Sequence, residues 1–176
     1  NVLDSDNKKV GFSKKTKDLW EVECQNTDQF IVSYSYYASE LNAGSTYLDQ
    51  NQLYINPVNC MFYISQDLDL EYEIEFKLPP AYKIHTSLEN LGNNTLKASN
   101  FDQLADSPII ASSSAQQRSL TINNVNFSFC FQGEVKVNWE KMLKDFTSFI
   151  NYQINLFDSF PHKSFLFLFQ ITPYSS

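Results

Sequence analysis

The chain has 176 residues, of which 43% are hydrophobic and 15% aromatic, and its formal net charge is -7. This length supports one well-packed core, or one domain with part of a second, and the aromatic content argues against a disordered chain. The negative charge argues against a nucleic-acid or anionic-membrane partner, and no apolar run approaches the roughly 20 residues of a membrane-spanning helix.

Neither the start of the chain nor its cysteines identify the cellular compartment of the protein. The first residue is Asn1 rather than Met, and no apolar leader follows it. We therefore expect a processed or trimmed product, whose compartment, cytoplasmic or periplasmic, stays open. Cys24, Cys60 and Cys130 are widely spaced and include no C-x-x-C pair, so we interpret them as small buried hydrophobic residues rather than as a disulfide framework or zinc knuckle.

Alternation of apolar and polar residues predicts strands through the first three-quarters of the chain. The clearest is residues 69–78, DLEYEIEFKL, in which every second side chain is apolar, and Pro79-Pro80 ends it. This period of two places one face on a core and the other in water. Asn123-Asn124 favours a tight turn between the last two predicted strands. The other predicted strands are residues 19–24, 29–38, 82–86, 120–122 and 125–131.

Residues 100–110, NFDQLADSPII, predict a short helical turn, a rigid corner and then a strand. Phe101 and Leu104 have the spacing of one helical turn, and Asp102 and Asp106 lie on its polar side. The Asp-Ser-Pro sequence stops the turn, and two isoleucines begin the strand. In a structural interpretation the apolar pair enters a core while Asp106 closes the turn. In a functional interpretation the carboxylates form a site, and both interpretations stay open on these residues alone.

The hydrophobic period changes after Gly133. Apolar residues at steps of three and four predict an amphipathic helix from Asn138 to Phe157, with Asn138 as its N-cap. Residues 164–171, SFLFLFQI, read as an apolar strand of the kind buried on both faces. The fold predicted is mainly β, an antiparallel β-sandwich or saddle over residues 1–132, followed by a helix and a strand over residues 133–176, and α+β overall.

No motif for catalysis is present in the sequence. His85 and His162 are its only histidines, and it has no H-E-x-x-H, no G-x-S-x-G and only four glycines, too few for a phosphate-cradling loop. The acidic row of residues 71, 73 and 75 is typical of the solvated face of a strand. We interpret both histidines as structural or surface residues and expect neither metal nor cofactor in this chain.

Several segments, taken in order, carry a resemblance to a known family. They are residues 18–22, 32–41, 46–49, 75–79, 82–88, 101–109 and 160–167. The clearest is 101–109, FDQLADSPI, which is similar to a D-x-L-x-D-S-P signature. Together they resemble the amino-terminal region of the glycyl aminopeptidase family of zinc metallopeptidases. Where that family tends to carry a basic residue before its T-x-Y-L-D passage, this chain has Gly44.

This resemblance implies a β-rich, non-catalytic part that precedes a thermolysin-like domain carrying H-E-x-x-H. The implied partners are the missing catalytic domain of the same protein and a peptide substrate, and zinc belongs to that domain. This chain alone is then expected to bind no zinc and to hydrolyse no peptide. The resemblance places the signature loop near the junction with the catalytic domain, where carboxylates can select a free α-amino group. Asp106 is the first candidate for substrate binding, followed by Asp102 and Ser107.

A second hypothesis is a stand-alone β-sandwich binding module with an aromatic platform for peptide or carbohydrate. Its candidate residues are Trp20, Tyr34, Tyr36, Tyr37, Tyr47 and Tyr54. The alternative for these rings is packing in the core and in cross-strand pairs. A further expectation concerns open edges, because an uncovered strand at Phe165 to Phe169 favours a homo-oligomer.

Overall fold

The computed structural model describes residues 1–23 and 29–172, and these are mainly strands with three helices. The mainly β, α+β fold expected from the sequence is confirmed. The strands are β1 Val2–Asp4, β2 Phe12–Lys14, β3 Trp20–Val22, β4 Phe30–Val32, β5 Tyr47–Leu48, β6 Gln52–Ile55, β7 Tyr72–Glu75, β8 Lys83–His85, β9 Glu89–Gly92, β10 Thr95–Ala98, β11 Ile109–Ser112, β12 Gln116–Ile122, β13 Val125–Gln132 and β14 Ser164–Gln170. The helices are α1 Pro57–Cys60, α2 Phe101–Ala105 and α3 Trp139–Phe157.

The chain forms two compact units, Asn1–Tyr37 and Ala38–Ser176. The first contains two antiparallel pairs of short strands, β1 with β4 and β2 with β3. The predicted strand over residues 29–38 is therefore wrong beyond Val32. The pairing of β4 with β1 ends at Val32 and Val2, and Tyr34, Tyr36 and Tyr37 are exposed.

The second unit begins with a four-stranded sheet and a three-stranded sheet. Their orders are β5-β6-β11-β8 and β7-β10-β9, and all of these pairs are antiparallel. β11 lies between β6 and β8, and all four of its residues are buried. The strand predicted over residues 69–78 is shorter than expected, but β7 keeps the alternation of half-buried and exposed residues. One cluster forms this core: Ile55, Leu88, Leu96, Ala98, Phe101, Leu104 and Ile109.

The rest of the second unit is a three-stranded sheet with α3 packed on one face. Its order is β12-β13-β14; β12 and β13 form an antiparallel hairpin, and β14 is parallel to β13. Asn123 and Asn124 both have positive φ, as the predicted tight turn requires. The helix is confirmed with its N-cap, since the Asn138 side chain accepts a hydrogen bond from Lys141 N at 3.1 Å. The core between this sheet and α3 consists of Ile122, Val125, Phe127, Phe129, Ile150 and Ile154.

The interpretation of residues 164–171 as a strand buried on both faces is wrong. Among the strands of residues 1–23 and 29–172, only β13 pairs with β14, which therefore lies at the edge of this sheet. Phe165 is 40% exposed, and residues 166–170 are half-buried. An apolar run of this length cannot by itself distinguish a central strand from an edge strand, because strand order depends on pairing with distant residues.

The domain boundary near Gly133 and the β-sandwich arrangement stay predictions.

Of the cysteines, Cys130 is buried and Cys60 half-buried, whereas Cys24 lies outside the described residues. Burial raises the pKa of the Cys130 thiol to about 12. The Cys60 thiol lies 3.9 Å from Thr46 Oγ1, and its pKa is also raised by burial.

Candidate functional site

The corner at residues 100–108 is built on the short helix α2. Asn100 caps this helix, because its Oδ1 accepts a hydrogen bond from Gln103 N at 2.8 Å. The Gln103 side chain reaches back, and its Oε1 accepts from Ser99 N at 2.7 Å and from Ser99 Oγ at 2.9 Å. This exchange resembles a capping box and fixes the start of the turn.

The apolar side of α2 anchors the corner in the core, as the structural interpretation predicted. Leu104 is fully buried, and the Phe101 ring stacks on Tyr63 with centroids 4.5 Å apart. The Tyr72 ring also packs against the Phe101 ring, tilted and with the two centroids 6.0 Å apart. Burial is the main cause that raises the pKa of Tyr72, and the nearby Asp67 carboxylate adds to it. The helix is therefore held in place by rings on its inner side.

The polar side of α2 presents two carboxylates to solvent. Asp102 lies in the first turn and Asp106 at the C-cap, and both are exposed. The Asp106 N–H donates to Asp102 O at 3.0 Å, so the backbone fixes the spacing of the two residues. In the part of the chain that the structure describes, neither carboxylate has a hydrogen-bond or ion-pair partner. Both are available to a cationic group from outside.

The third candidate, Ser107, faces inward. It is only 4% exposed, and its Oγ accepts a hydrogen bond from Ser87 Oγ at 2.9 Å. Its N–H donates to Leu104 O at 3.1 Å. The hydrogen bond from Ser87 connects the corner to the loop that follows β8, and the bond to Leu104 lies within the corner. The structure thus brings Asp102 and Asp106 to one exposed surface and uses Ser107 to hold the corner.

A buried polar cluster was not foreseen from the sequence. Gln170 Nε2 donates to Gln52 Oε1 at 2.9 Å, and Ser112 Oγ donates to Asn51 O at 3.0 Å. Gln132 is the register neighbour of Gln170, and the Oε1 atoms of both lack a partner among the described residues. The only local signal was a glutamine at the end of two phenylalanine-rich strands, FCFQ and FLFQ.

The two histidines are structural or surface residues, and the acidic row is the solvated face of a strand, as the sequence indicated. His162 is exposed, and half-buried His85 contacts Gln117 Oε1 through Nδ1. On the acidic strand β7 and the bend before it, Glu71 forms an ion pair with Lys97 at 2.8 Å. The hydrogen bond from Lys97 to Glu71 is the main cause that raises the pKa of Lys97.

The residues described do not supply a zinc site. Within residues 1–23 and 29–172, no three His, Cys, Asp or Glu side chains are grouped as metal ligands would be. In the same ranges, no helix has both the length and the apolar character needed to cross a membrane.

The six aromatic residues of the binding-module hypothesis divide between the two compact units. Tyr47 is half-buried and Tyr54 is buried in the second unit, and Tyr54 Oη donates to Ala43 O at 3.0 Å. These two rings fit the core alternative. The other four are exposed in the first unit: Trp20, Tyr34, Tyr36 and Tyr37.

Comparisons with known proteins identify a family from the sequence and a similar fold among solved structures. The family model for the Peptidase M61 N-terminal domain matches residues 1–113. Among solved structures, an aminopeptidase N family protein from Idiomarina loihiensis is similar, with a TM-score of 0.87 and 21% sequence identity. The match covers 97% of this chain but 30% of that one, so the chain spans less than a third of the similar protein. At this identity the likeness shows the fold alone. A search of curated proteins found no match.

Proposed function

The chain belongs to the Peptidase M61 N-terminal domain family, and from this we propose that it is the non-catalytic amino-terminal part of a zinc aminopeptidase. The catalytic zinc domain would lie outside these 176 residues. The proposal is supported by the family model, which extends through the corner at residues 100–108. The reaction of the parent protein would be metal-assisted hydrolysis of an amino-terminal peptide bond, with glycine as the preferred first residue.

The observation that carries a substrate role is the pair of exposed carboxylates on α2. Asp102 and Asp106 have no partner among the described residues, and their backbone is held by the Asn100 cap and the Phe101 anchor. The free α-amino group of a peptide is cationic at neutral pH. A carboxylate on a rigid support can bind such a group by a charge-assisted hydrogen bond without a large loss of side-chain entropy. Asp106 is the first choice because it sits at the corner itself.

The sharpest test of this role uses the parent protein with its catalytic domain. We expect Asp106→Asn to raise KM for a glycyl reporter with a free amine by about tenfold and to leave kcat nearly unchanged. Asp102→Asn should have a smaller effect. Asp69→Asn is the matched control, since Asp69 is also exposed but lies outside the corner. Equal kinetics for Asp106→Asn and the control would remove Asp106 from the substrate site.

The non-catalytic role itself has a separate test. The purified 176-residue chain, supplied with zinc, should retain no stoichiometric metal after dialysis and should not hydrolyse an aminoacyl reporter. Turnover that a chelator abolishes would contradict the proposal. Reading the gene beyond Ser176 gives an independent check, because an H-E-x-x-H helix downstream supports the parent peptidase and a stop codon favours a stand-alone module.

The second candidate function is an aromatic binding platform in the first compact unit. It is favoured by the exposure of Trp20, Tyr34, Tyr36 and Tyr37, since exposed aromatic rings commonly bind sugar or peptide. Titration with oligosaccharides and short peptides, followed by tryptophan fluorescence, tests it. Tyr37→Ala should weaken binding because Tyr37 is 89% exposed, and the exposed Leu48→Ala in the second unit should not.

A further inference from the structure

The loop that follows β8 lies beside the corner at residues 100–108. β8 pairs with β11 in an antiparallel register that sets His85 opposite Ile110. Continued by two residues, this register sets position 87 opposite Pro108. Proline has no N–H, so Pro108 cannot donate the hydrogen bond that would continue the ladder. The corner is therefore held against this loop by side chains rather than by the backbone of the sheet.

One side-chain hydrogen bond joins the loop to the corner. Ser87 Oγ donates to Ser107 Oγ at 2.9 Å. Within residues 1–23 and 29–172, it is the only hydrogen bond between residues 86–88 and the corner. Ser87 is exposed, but Ser107 is only 4% exposed, so water has little access to the accepting oxygen. Loss of the Ser87 hydroxyl would leave this oxygen buried without its donor.

This bond fixes the residue that follows Asp106. On the preceding side, Leu104 is fully buried, and the Asp106 N–H donates to Asp102 O at 3.0 Å. On the following side, the Ser107 N–H donates to Leu104 O at 3.1 Å, and the Ser107 side chain is bonded to Ser87. The backbone of Asp106 is therefore held from both sides, which limits the directions open to its exposed carboxylate.

We infer that Ser87 is a positioning residue, which acts through Ser107 to orient the Asp106 carboxylate toward the α-amino group of the substrate. The inference rests on the proposed substrate role of Asp106. A charge-assisted hydrogen bond depends on the distance and direction of its acceptor. When the support loosens, the carboxylate keeps its charge but must be ordered again on binding. Substrate binding then weakens by less than when the charge itself is removed.

Steady-state kinetics of the parent protein with its catalytic domain test the inference. We expect Ser87→Ala to raise KM for a glycyl reporter with a free amine by about threefold and to leave kcat nearly unchanged. Ser87→Thr keeps the hydroxyl and should restore the original KM. Ser119→Ala is the matched control, because Ser119 Oγ lies 2.8 Å from Ser128 Oγ in another serine pair, on β12 and β13. The control should not change KM.

Hydrogen exchange of the same parent protein, measured on the peptide of residues 101–109, tests the bond without substrate. The Ser107 amide should exchange about tenfold faster in Ser87→Ala. Adding Ser107→Ala should cause no further increase, because the double variant removes the buried acceptor together with its donor. Ser119→Ala should leave the exchange unchanged.

The two measurements separate failure of this inference from failure of the proposed function. Unchanged exchange and unchanged KM in Ser87→Ala, with a raised KM in Asp106→Asn, would overturn the inference and leave the substrate role of Asp106 intact. Faster exchange in Ser87→Ala, with KM unchanged in both variants, would overturn the substrate role and the inference with it. A raised KM that Ser87→Thr fails to restore would also overturn the inference.

Discussion

Gly133 lies where the backbone that follows β13 comes close to the backbone that follows β14. Its φ is +110°, a conformation that other L residues rarely adopt. A Cβ there would run into the backbone carbonyl oxygen of Ile171, whose N–H donates to Gln132 O at 2.8 Å. The close approach of these two backbone segments requires a residue without a side chain. The sequence analysis used Gly133 only as a boundary, since its contact lies 38 residues away.

We therefore expect Gly133→Ala to lower the free energy of unfolding by about 2 kcal/mol, from backbone strain and the displaced β14 end. Urea unfolding followed by circular dichroism measures the change. Gly44→Ala is the control, because Gly44 has no positive φ and a Cβ there would meet only Asn42 Oδ1 at 3.5 Å. The control should change the free energy by less than about 0.5 kcal/mol. Similar losses at both glycines would contradict this account of Gly133.

The positions of some site residues are fixed by their neighbours in the sequence, and those of others by residues far away in the chain. The exposure of Asp102 and Asp106 follows from helical spacing within one turn, with Phe101 and Leu104 on the opposite side, so the sequence alone predicted it. The inward position of Ser107 depends on Ser87, twenty residues away. The buried polar cluster depends on Gln52 reaching Gln170 across 118 residues, a distance over which no pattern in the sequence carries information.

The same distinction holds for whole elements. The helix α3 was predicted with its cap because its period and its capping residue, Asn138, lie within the segment. The hairpin of β12 and β13 was predicted for the same reason, from alternation and an Asn-Asn turn. The predicted strand over residues 29–38 is wrong after Val32, where its pairing with β1 ends. The edge position of β14 was missed because it depends on strand order.

Attachment of α3 to its sheet should depend on the buried ring of Phe129. This ring is fully buried, with Phe146 of α3 at 4.8 Å and Phe167 of β14 at 5.0 Å. We expect Phe129→Ala to lower the free energy of unfolding by about 3–5 kcal/mol through lost burial and the cavity left behind. Phe157→Ala is the control: this residue of α3 is 70% exposed, so the loss there should stay below about 1 kcal/mol. Both values come from urea unfolding, and equal losses would show that α3 is not held through this ring.

At the scale of the molecule, the family match and the compact units do not coincide. The Peptidase M61 N-terminal domain model covers residues 1–113, whereas the compact units are Asn1–Tyr37 and Ala38–Ser176. The match therefore crosses the division between the units and ends just after β11. Both hydrophobic core clusters lie within the second unit, one below α2 and β11 and the other between α3 and its sheet. The first unit contributes four short strands and much exposed aromatic surface.

Because both clusters belong to the second unit, we expect residues 38–176 to fold without residues 1–37. The fragment should show the circular dichroism of a folded β protein and a thermal midpoint within about 3 °C of the whole chain. A fragment of residues 50–176 is the control, since it loses β5 and Thr46, whose Oγ1 accepts from Asn56 N at 3.2 Å. Its midpoint should fall by at least about 5 °C because the edge of the four-stranded sheet and a buried hydrogen bond are removed. If residues 38–176 fail to fold while the whole chain is stable, the two units depend on each other, and the family match across them marks one folding unit.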